Sequence, residues 1–370
     1  MCQPDPSITE RLLTWFADHG RRLPWRQARP HGAPRDPYRV WVAEIMLQQT
    51  QVATVIPYYR AFLERFPSTR ALAEASQEDV LKAWEGMGYY ARARNLHRAA
   101  QIVQSRHGGH VPGTREALLA LPGVGEYTAG AILSLAFAQD TPALDANARR
   151  VLARLCAVEE PLDRPATLRR LKEAAEALMP AGQGGAFNEA LMDLGALICT
   201  PSAPACAGCP LMTACQAQAL GRVAAIPARR PRRVVPHYAV TAAVIWQEGR
   251  LLLTQRREDK MLGGMWEFPG GKCEDGESLE DCLRREIREE LALEIEVGDA
   301  LTTVRHAYTH LRITLHAFEC RLLAGTPQAI GCQDWRWVRV HELSGFPLSV
   351  ADQRIAEAVR RGAGRNGRGE

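Results

Sequence analysis

No uninterrupted apolar run in the sequence approaches the roughly 18 residues that a membrane-spanning helix needs. The opening stretch, MCQPDPSITERLLTWF, lacks the basic segment, apolar core and small-residue cleavage site of a secretory leader. Both absences point to a cytoplasmic protein without a membrane partner. A strong excess of one charge is missing too. Lys and Arg number 46 against 42 Asp and Glu, a formal net charge of +4, so nucleic-acid binding would have to rest on local patches and motifs. Low-complexity sequence is confined to the tail. In a cytoplasmic chain, ten cysteines are not expected to form a disulfide framework. Four of them cluster, at Cys199, Cys206, Cys209 and Cys215. The scattered six (Cys2, Cys156, Cys273, Cys282, Cys320 and Cys332) read as packing residues.

What is present falls into two parts. Residues 1–225 read as a helical domain: Ile8, Leu12, Leu13, Trp15 and Phe16 recur at helical spacing, and a long apolar stripe runs from Trp41 to Phe66 after Asp36-Pro37, a good helix start. Residues 226–236, IPARRPRRVVP, carry three prolines and four arginines and read as a linker. From Tyr238 the pattern turns to strands. YAVTAAVIW and RLLLTQRR flank the hairpin signal Glu248-Gly249, a helix is expected at about 278–291, and LRITLHAFECRLL alternates as a strand. Residues 237–360 are thus expected to form an α+β domain, with 361–370 a disordered Gly/Arg-rich tail.

Three constellations in the helical part carry chemistry. The spacing Cys199-x6-Cys206-x2-Cys209-x5-Cys215 places four soft ligands within a short loop, suited to zinc or an iron–sulfur cluster; spacing alone does not decide between them. LPGVGEYTAG joins two short apolar helices, and Gly123 and Gly125 would let the second helix present its N-terminal N–H groups to a phosphate. PALDANARRVLARL follows, with Asp145 at its head. A second carboxylate, Glu44, stands among apolar residues in WVAEIMLQQTQ. Paired carboxylates in unlike settings, one sheltered and one polar, can divide the roles of acid and anion between them.

These motifs, in this order, resemble the endonuclease III superfamily of DNA glycosylases, and WVAEIMLQQTQVATVIPYY closely resembles its adenine glycosylase (MutY) branch. The resemblance implies an all-α helix–hairpin–helix glycosylase domain with a [4Fe–4S] cluster on the four cysteines. It implies Glu44 as general acid, its pKa raised by an apolar site, and Asp145 as the anion beside the sugar, with Tyr127 and Asn147 as polar neighbours. Members that also nick the backbone use a lysine nucleophile where this chain has Tyr127, so base hydrolysis alone is implied. Gln49 and Thr50 resemble residues that contact the lesion pair, and Tyr89 resembles an aromatic wedge beside 8-oxoguanine. Arg92, Arg94, Arg98 and Arg149 are candidate phosphate contacts. In the superfamily the loop between the first two cysteines is basic; here it reads TPSAPA, without Lys or Arg.

In the second part, Gly271-x5-Glu277-x7-Arg285-Glu286-Ile287-x-Glu289-Glu290 matches a Nudix box, except that Ala292 replaces its last glycine. Glu286, Glu289 and Glu290 share one helix face and could bind Mg²⁺. VRHAYTH resembles the lesion-reading loop of the adenine glycosylase family, which implies Tyr308, Thr309 and His310 as lesion-binding residues. The implied substrate is double-stranded DNA carrying adenine opposite 8-oxoguanine or guanine, acted on by a monomer. The favoured reading gives the Nudix-like domain recognition of 8-oxoguanine. In the alternative it also hydrolyses oxidised nucleoside triphosphates with Mg²⁺, Asp352 reading the purine.

Overall fold

The computed structural model describes residues 5–27, 35–228 and 234–366, with side chains to residue 362. Two compact units make up the chain. One runs to Glu74 and resumes from Arg98 to the linker; the other comprises Ala75–His97 together with the chain after the linker. The sequence placed 75–97 in the helical domain. Its membership in the second unit has a packing cause. Leu81 is 1% exposed, and Gly264, at φ +78°, is so closely approached that a Cβ there would lie 3.1 Å from Leu81 Cδ1.

The first unit is helical throughout its described residues. Asp5 and Asp36 cap the helices Pro6–His19 and Pro37–Leu47 by accepting from backbone N–H groups two residues on, and each helix begins with proline. The apolar stripe from Trp41 to Phe66 does not form one helix. Gln49 takes a left-handed conformation (φ 59°), so Pro37–Leu47 ends there and Val52–Arg65 begins afresh. The helices Glu126–Ala136, Ala146–Leu155, Pro165–Leu178 and Gly184–Leu197 follow. Phe187, Leu191 and Leu194 pack on Ala148, Val151, Leu152 and Leu155, all buried. Gly195 makes that crossing close: a Cβ there would stand 2.6 Å from Asn147 Cβ. The expected linker also starts late. Ile226 is 1% exposed and its carbonyl accepts from Arg154 Nε at 2.9 Å, while the Ala228 N–H donates to the Glu159 carbonyl. Residues 229–233 of the linker lie outside the described residues.

The second unit is built on a mixed sheet of β1 (His237–Gln247), β2 (Arg250–Gln255), β3 (Trp266–Glu267), β4 (Glu294–Ala307), β5 (Arg312–Ala324) and β6 (Asp334–Val338). The order is β3-β2-β1-β5-β4, with β6 also on β2. β1 and β2 form the expected hairpin, closed by Glu248 and Gly249 at positive φ, while β1 and β5 run parallel. Period-two alternation sends Val244, Leu251 and Leu253 to one face, against Ile355 and Val359 of the helix Val350–Asn366. Ala243, Ile245 and Leu252 go to the other, against Leu283, Ile287 and Leu291 of the helix Leu279–Leu291. The last helix continues to Asn366. The helix thus extends into the stretch from 361 expected to be disordered; residues 367–370 lie outside the described residues.

Ala292, at the position where the Nudix pattern has glycine, closes the helix Leu279–Leu291 at φ 55°, ψ 37°. A Cβ in that left-handed region costs roughly 1–2 kcal/mol. Ala292→Gly is therefore expected to stabilise the second unit by about 1 kcal/mol, part of the gain being offset by unfolded-chain entropy. Urea denaturation checks this; an unchanged or lowered midpoint contradicts it.

Candidate active site

Glu44 lies on Pro37–Leu47, whose first residues follow an aspartate cap and whose remaining side chains are almost all apolar and buried. It is carried inward with them, to 3% exposure. Tyr127, two residues into the helix that begins after Gly125, donates its hydroxyl to Glu44 Oε2 at 2.7 Å. Burial pushes the Glu44 carboxyl up to about 7. The Tyr127 bond opposes that shift, Glu189 and Asp145 add to it, and Arg26 opposes it. Burial likewise holds the Tyr127 hydroxyl well above its ordinary range.

Asp145 caps the helix Ala146–Leu155. Its Oδ1 accepts from the Ala148 N–H at 2.7 Å and its Oδ2 from Asn147 Nδ2 at 3.0 Å. Such a cap aims the carboxylate by two bonds and a helix dipole. Burial nonetheless leaves its pKa above the ordinary value, against the bonds from Ala148 and Asn147. Asn147 is fixed in turn: its Oδ1 accepts from Arg150 Nη2 at 2.8 Å. The Arg150 guanidinium also donates to the carbonyls of Cys199 and Gly195, each at 2.8 Å. A continuous run of hydrogen bonds therefore leads from Asp145 to the first residue of the cysteine loop.

Glu44, Tyr127, Asp145 and Asn147 line one cavity of about 1100 Å³. Gln49, Thr50 and Gly125 line it as well, so the left-handed break after Leu47 turns the Gln-Gln-Thr-Gln segment toward the carboxylates. Gly123, at φ +77°, shapes the hairpin from an exposed position. Open space lies beside Gly125 where a side chain would be. Arg149 lines the cavity too, its Nε donating to the Leu144 carbonyl.

Tyr89, Arg92, Arg94, Tyr308, Thr309 and His310 are in the second unit, whereas Arg98 and the four clustered cysteines are in the first. Tyr89 is 41% exposed, stands at φ 50°, and shares a short hydrogen bond with the Thr309 hydroxyl. Thr309 and His310 are exposed, whereas Tyr308 turns inward to a separate cavity of about 490 Å³. Two candidate phosphate contacts are engaged otherwise. Arg94 is 9% exposed and donates to the Gly263 carbonyl at 2.6 Å. Arg92 is 8% exposed, with its guanidinium 5.4 Å from the centroids of both Trp84 and Tyr89 and a bond to the Gly88 carbonyl.

The four clustered thiols line one small cavity with Arg154, Ile198 and Met212. Arg154 Nη1 points at Cys199 Sγ from 3.3 Å, a donor aimed at sulfur. Among the described residues no three or more His, Cys, Asp or Glu form a group that could hold a metal ion as they stand. Cys282, Cys320 and Cys332 are buried and free, as packing residues; Cys156 is disulfide-bonded, which the sequence reading did not anticipate. In the Nudix box, Glu286 and Glu290 line the second cavity and Glu289 does not. Arg285 binds Glu277, Glu286 and Glu289 together.

Sequence reasoning missed a set of charges in the wall of the first cavity, where Arg21, Arg26 and Glu189 line it. Glu189 (4% exposed) and Asp193 (fully buried) lie four apart on Gly184–Leu197. Arg26 pairs with both, Arg21 with Asp193 and Arg35 with Glu189. Two acids at one-turn spacing within FNEALMDLGAL were the available signal: an apolar helix does not bury carboxylates without partners. Gln48 was also passed over; its amide donates to Thr128 Oγ1 at 3.2 Å.

Against known proteins, the chain is 35% identical to the adenine DNA glycosylase of Rattus norvegicus over 96% of its own length and 79% of that protein's. The chain belongs to the adenine DNA glycosylase family. A family relative from Mycolicibacterium smegmatis is 42% identical over 60% of this chain and 73% of that protein. Residues 42–178 match the HhH-GPD superfamily of base excision DNA repair proteins, and residues 241–358 match the NUDIX domain. Among solved structures, a thermostable thymine-DNA glycosylase superposes with a TM-score of 0.52 at 31% identity, covering 58% of this chain and 95% of that one. The family's two-part architecture, a helix–hairpin–helix domain followed by a Nudix fold, is the one observed.

The charges in the cavity wall give a stability prediction. Burial pushes the Asp193 carboxyl up, but the bonds from Arg26 and Arg21 outweigh it and hold the group below its ordinary value. Asp193→Ala would leave Arg26 facing an apolar interior with half its pairing gone. A loss of about 3–5 kcal/mol is expected, read by chemical denaturation; a loss under about 1 kcal/mol would be that of a surface pair.

Proposed function

We propose that this protein hydrolyses the N-glycosidic bond of adenine mispaired with 8-oxoguanine or guanine in double-stranded DNA, leaving an abasic site. The observation that carries the proposal is the shared cavity of Glu44 and Asp145, with a tyrosine rather than an amine between them. Glu44, with its pKa near 7, keeps a large protonated fraction at neutral pH, and the protonated form donates to the five-membered ring of an extruded adenine. The base then leaves as a neutral molecule. Asp145, aimed by Ala148 and Asn147, places negative charge beside the oxocarbenium-like sugar. Water adds to the sugar carbon and releases a proton. Tyr127, bonded to Glu44, orients the acid and offers no amine for attack on the sugar, so the strand is not nicked.

Cys199, Cys206, Cys209 and Cys215 would hold a [4Fe–4S] cluster, which when bound would tie the loop after Leu197 together. All four thiols line one small cavity and Arg154 aims a donor at Cys199 Sγ, a setting that suits thiolates held around one group. The run Cys199–Arg150–Asn147–Asp145 then makes the set of that loop matter to the aim of the carboxylate. Recognition of the base opposite adenine falls to Tyr89, Thr309 and His310 in the second unit. We do not adopt nucleotide hydrolysis by the Nudix box, since its Glu289 is drawn onto Arg285 and away from the cavity. The protein is proposed to act as a monomer in the cytoplasm; among the described residues no helix is long and apolar enough to cross a membrane.

Single-turnover assays on both mispairs, followed by alkali, test the proposal. Alkali should be required for strand breakage. Glu44→Gln is expected to keep its affinity for the A·8-oxoguanine duplex while the rate falls by at least about 100-fold, the usual scale of a lost general acid. Native-rate release by Glu44→Gln, or breakage without alkali, would overturn it.

A further inference from the structure

Tyr89 is carried on a segment that belongs to the second unit although the chain enters it from the helical part. What fixes it there is a set of bonds to backbone and ring atoms of the Nudix fold. Glu85 accepts from the Leu348 N–H at 2.8 Å and from Lys82 Nζ at 2.7 Å. Lys82 in turn donates to the Phe346 carbonyl at 3.0 Å. Glu78 accepts from the Trp266 indole N–H, and Arg94, nearly buried, donates to the Gly263 carbonyl. The Arg92 guanidinium lies 5.4 Å from the ring centroids of both Trp84, fully buried, and Tyr89. At the end of this series the Tyr89 hydroxyl meets Thr309.

A tyrosine ring left 41% exposed at a left-handed backbone position is strained unless its surroundings hold it. Here the holding groups are far along the chain, in the loops after β2 and β6. We propose that Glu85 and Arg94 are positioning residues for mispair discrimination. By fixing 75–97 to the Nudix fold they preset the Tyr89 ring against Thr309, so that wedge and reader meet the base opposite adenine as one body. The inference rests on the reaction proposed above and adds to it the residues that set its preference between 8-oxoguanine and guanine. Neither residue faces the cavity of Glu44 and Asp145, so the chemical step should not depend on them.

The test compares A·8-oxoguanine and A·guanine duplexes in the full-length protein, as dissociation constants and as single-turnover rates at saturating enzyme. Losing a charge-assisted bond to a buried N–H shifts an equilibrium by about tenfold or more, so Glu85→Ala should lower the preference for 8-oxoguanine by about tenfold. The saturated rate on A·guanine should stay within about twofold. A merely structural role would weaken both duplexes alike. Tyr89→Phe, an exposed change that keeps the ring and the fold, should lose preference too, and the double variant should lose no more than the larger single loss. An unchanged preference in either single variant, or fully additive losses, overturns the inference while leaving the reaction intact. A wild-type protein that releases adenine from neither duplex overturns the reaction and the inference together.

Discussion

A carboxyl group taken out of water against a tyrosine hydroxyl is the constraint on which the catalytic domain turns. Glu44 sits at the end of an almost wholly apolar helix and has one hydrogen-bond donor, Tyr127, to stabilise its charged form. Burial outweighs that donor, and two further acids, Glu189 and Asp145, push in the same direction. Arg26 could have reversed the balance, but its guanidinium is committed to Asp193 and Glu189. The ion network in the cavity wall is therefore paired within itself and leaves Glu44 bonded to Tyr127.

Asp145 is built on the opposite plan. It is an N-cap, so local backbone geometry fixes where it points before tertiary contacts add anything. Its neighbour Asn147 is held by Arg150, and Arg150 by carbonyls at Gly195 and Cys199. Gly195 serves this arrangement by having no side chain, since a Cβ would displace Asn147. A segment distant in sequence thus sets the rotamer of a group beside the carboxylate, and the cysteine loop is part of the same construction.

Much of this was legible in the sequence because local rules and tertiary packing agree. Asp36 before Pro37 marked a helix start, and Glu248-Gly249 marked a hairpin. The β-rich runs from Tyr238 and the alternation in LRITLHAFECRLL marked strands of the second unit. The motifs around Glu44, Tyr127 and Asp145 named residues that share a cavity. What stayed hidden was set by side chains meeting across long chain separations. Nothing local in QEDVLKAWEG says that Glu78 and Glu85 bond to Trp266 and Leu348. Nor does local sequence show that Arg94 serves a carbonyl rather than a phosphate. The break at Gln49 was masked by a stripe that stays apolar on both sides of it. Strand β4 was not anticipated either: its apolar residues Ile295, Val297, Ala300, Leu301, Val304 and Ala307 break alternation between Val297 and Ala300, and the strand bulges there where it pairs with β5.

The central claim is that the acid on Pro37–Leu47 keeps its proton to neutral pH. Carbon-13 NMR of selectively labelled glutamate carboxyls, with Glu44 assigned by its loss in Glu44→Gln, measures this directly. A midpoint near pH 7 is predicted, well above the ordinary 4.5. The protonated form would then persist through the range in which an exposed glutamate is already ionised. A midpoint at the ordinary value would mean that water or an unforeseen cation reaches the carboxyl, and would contradict the account.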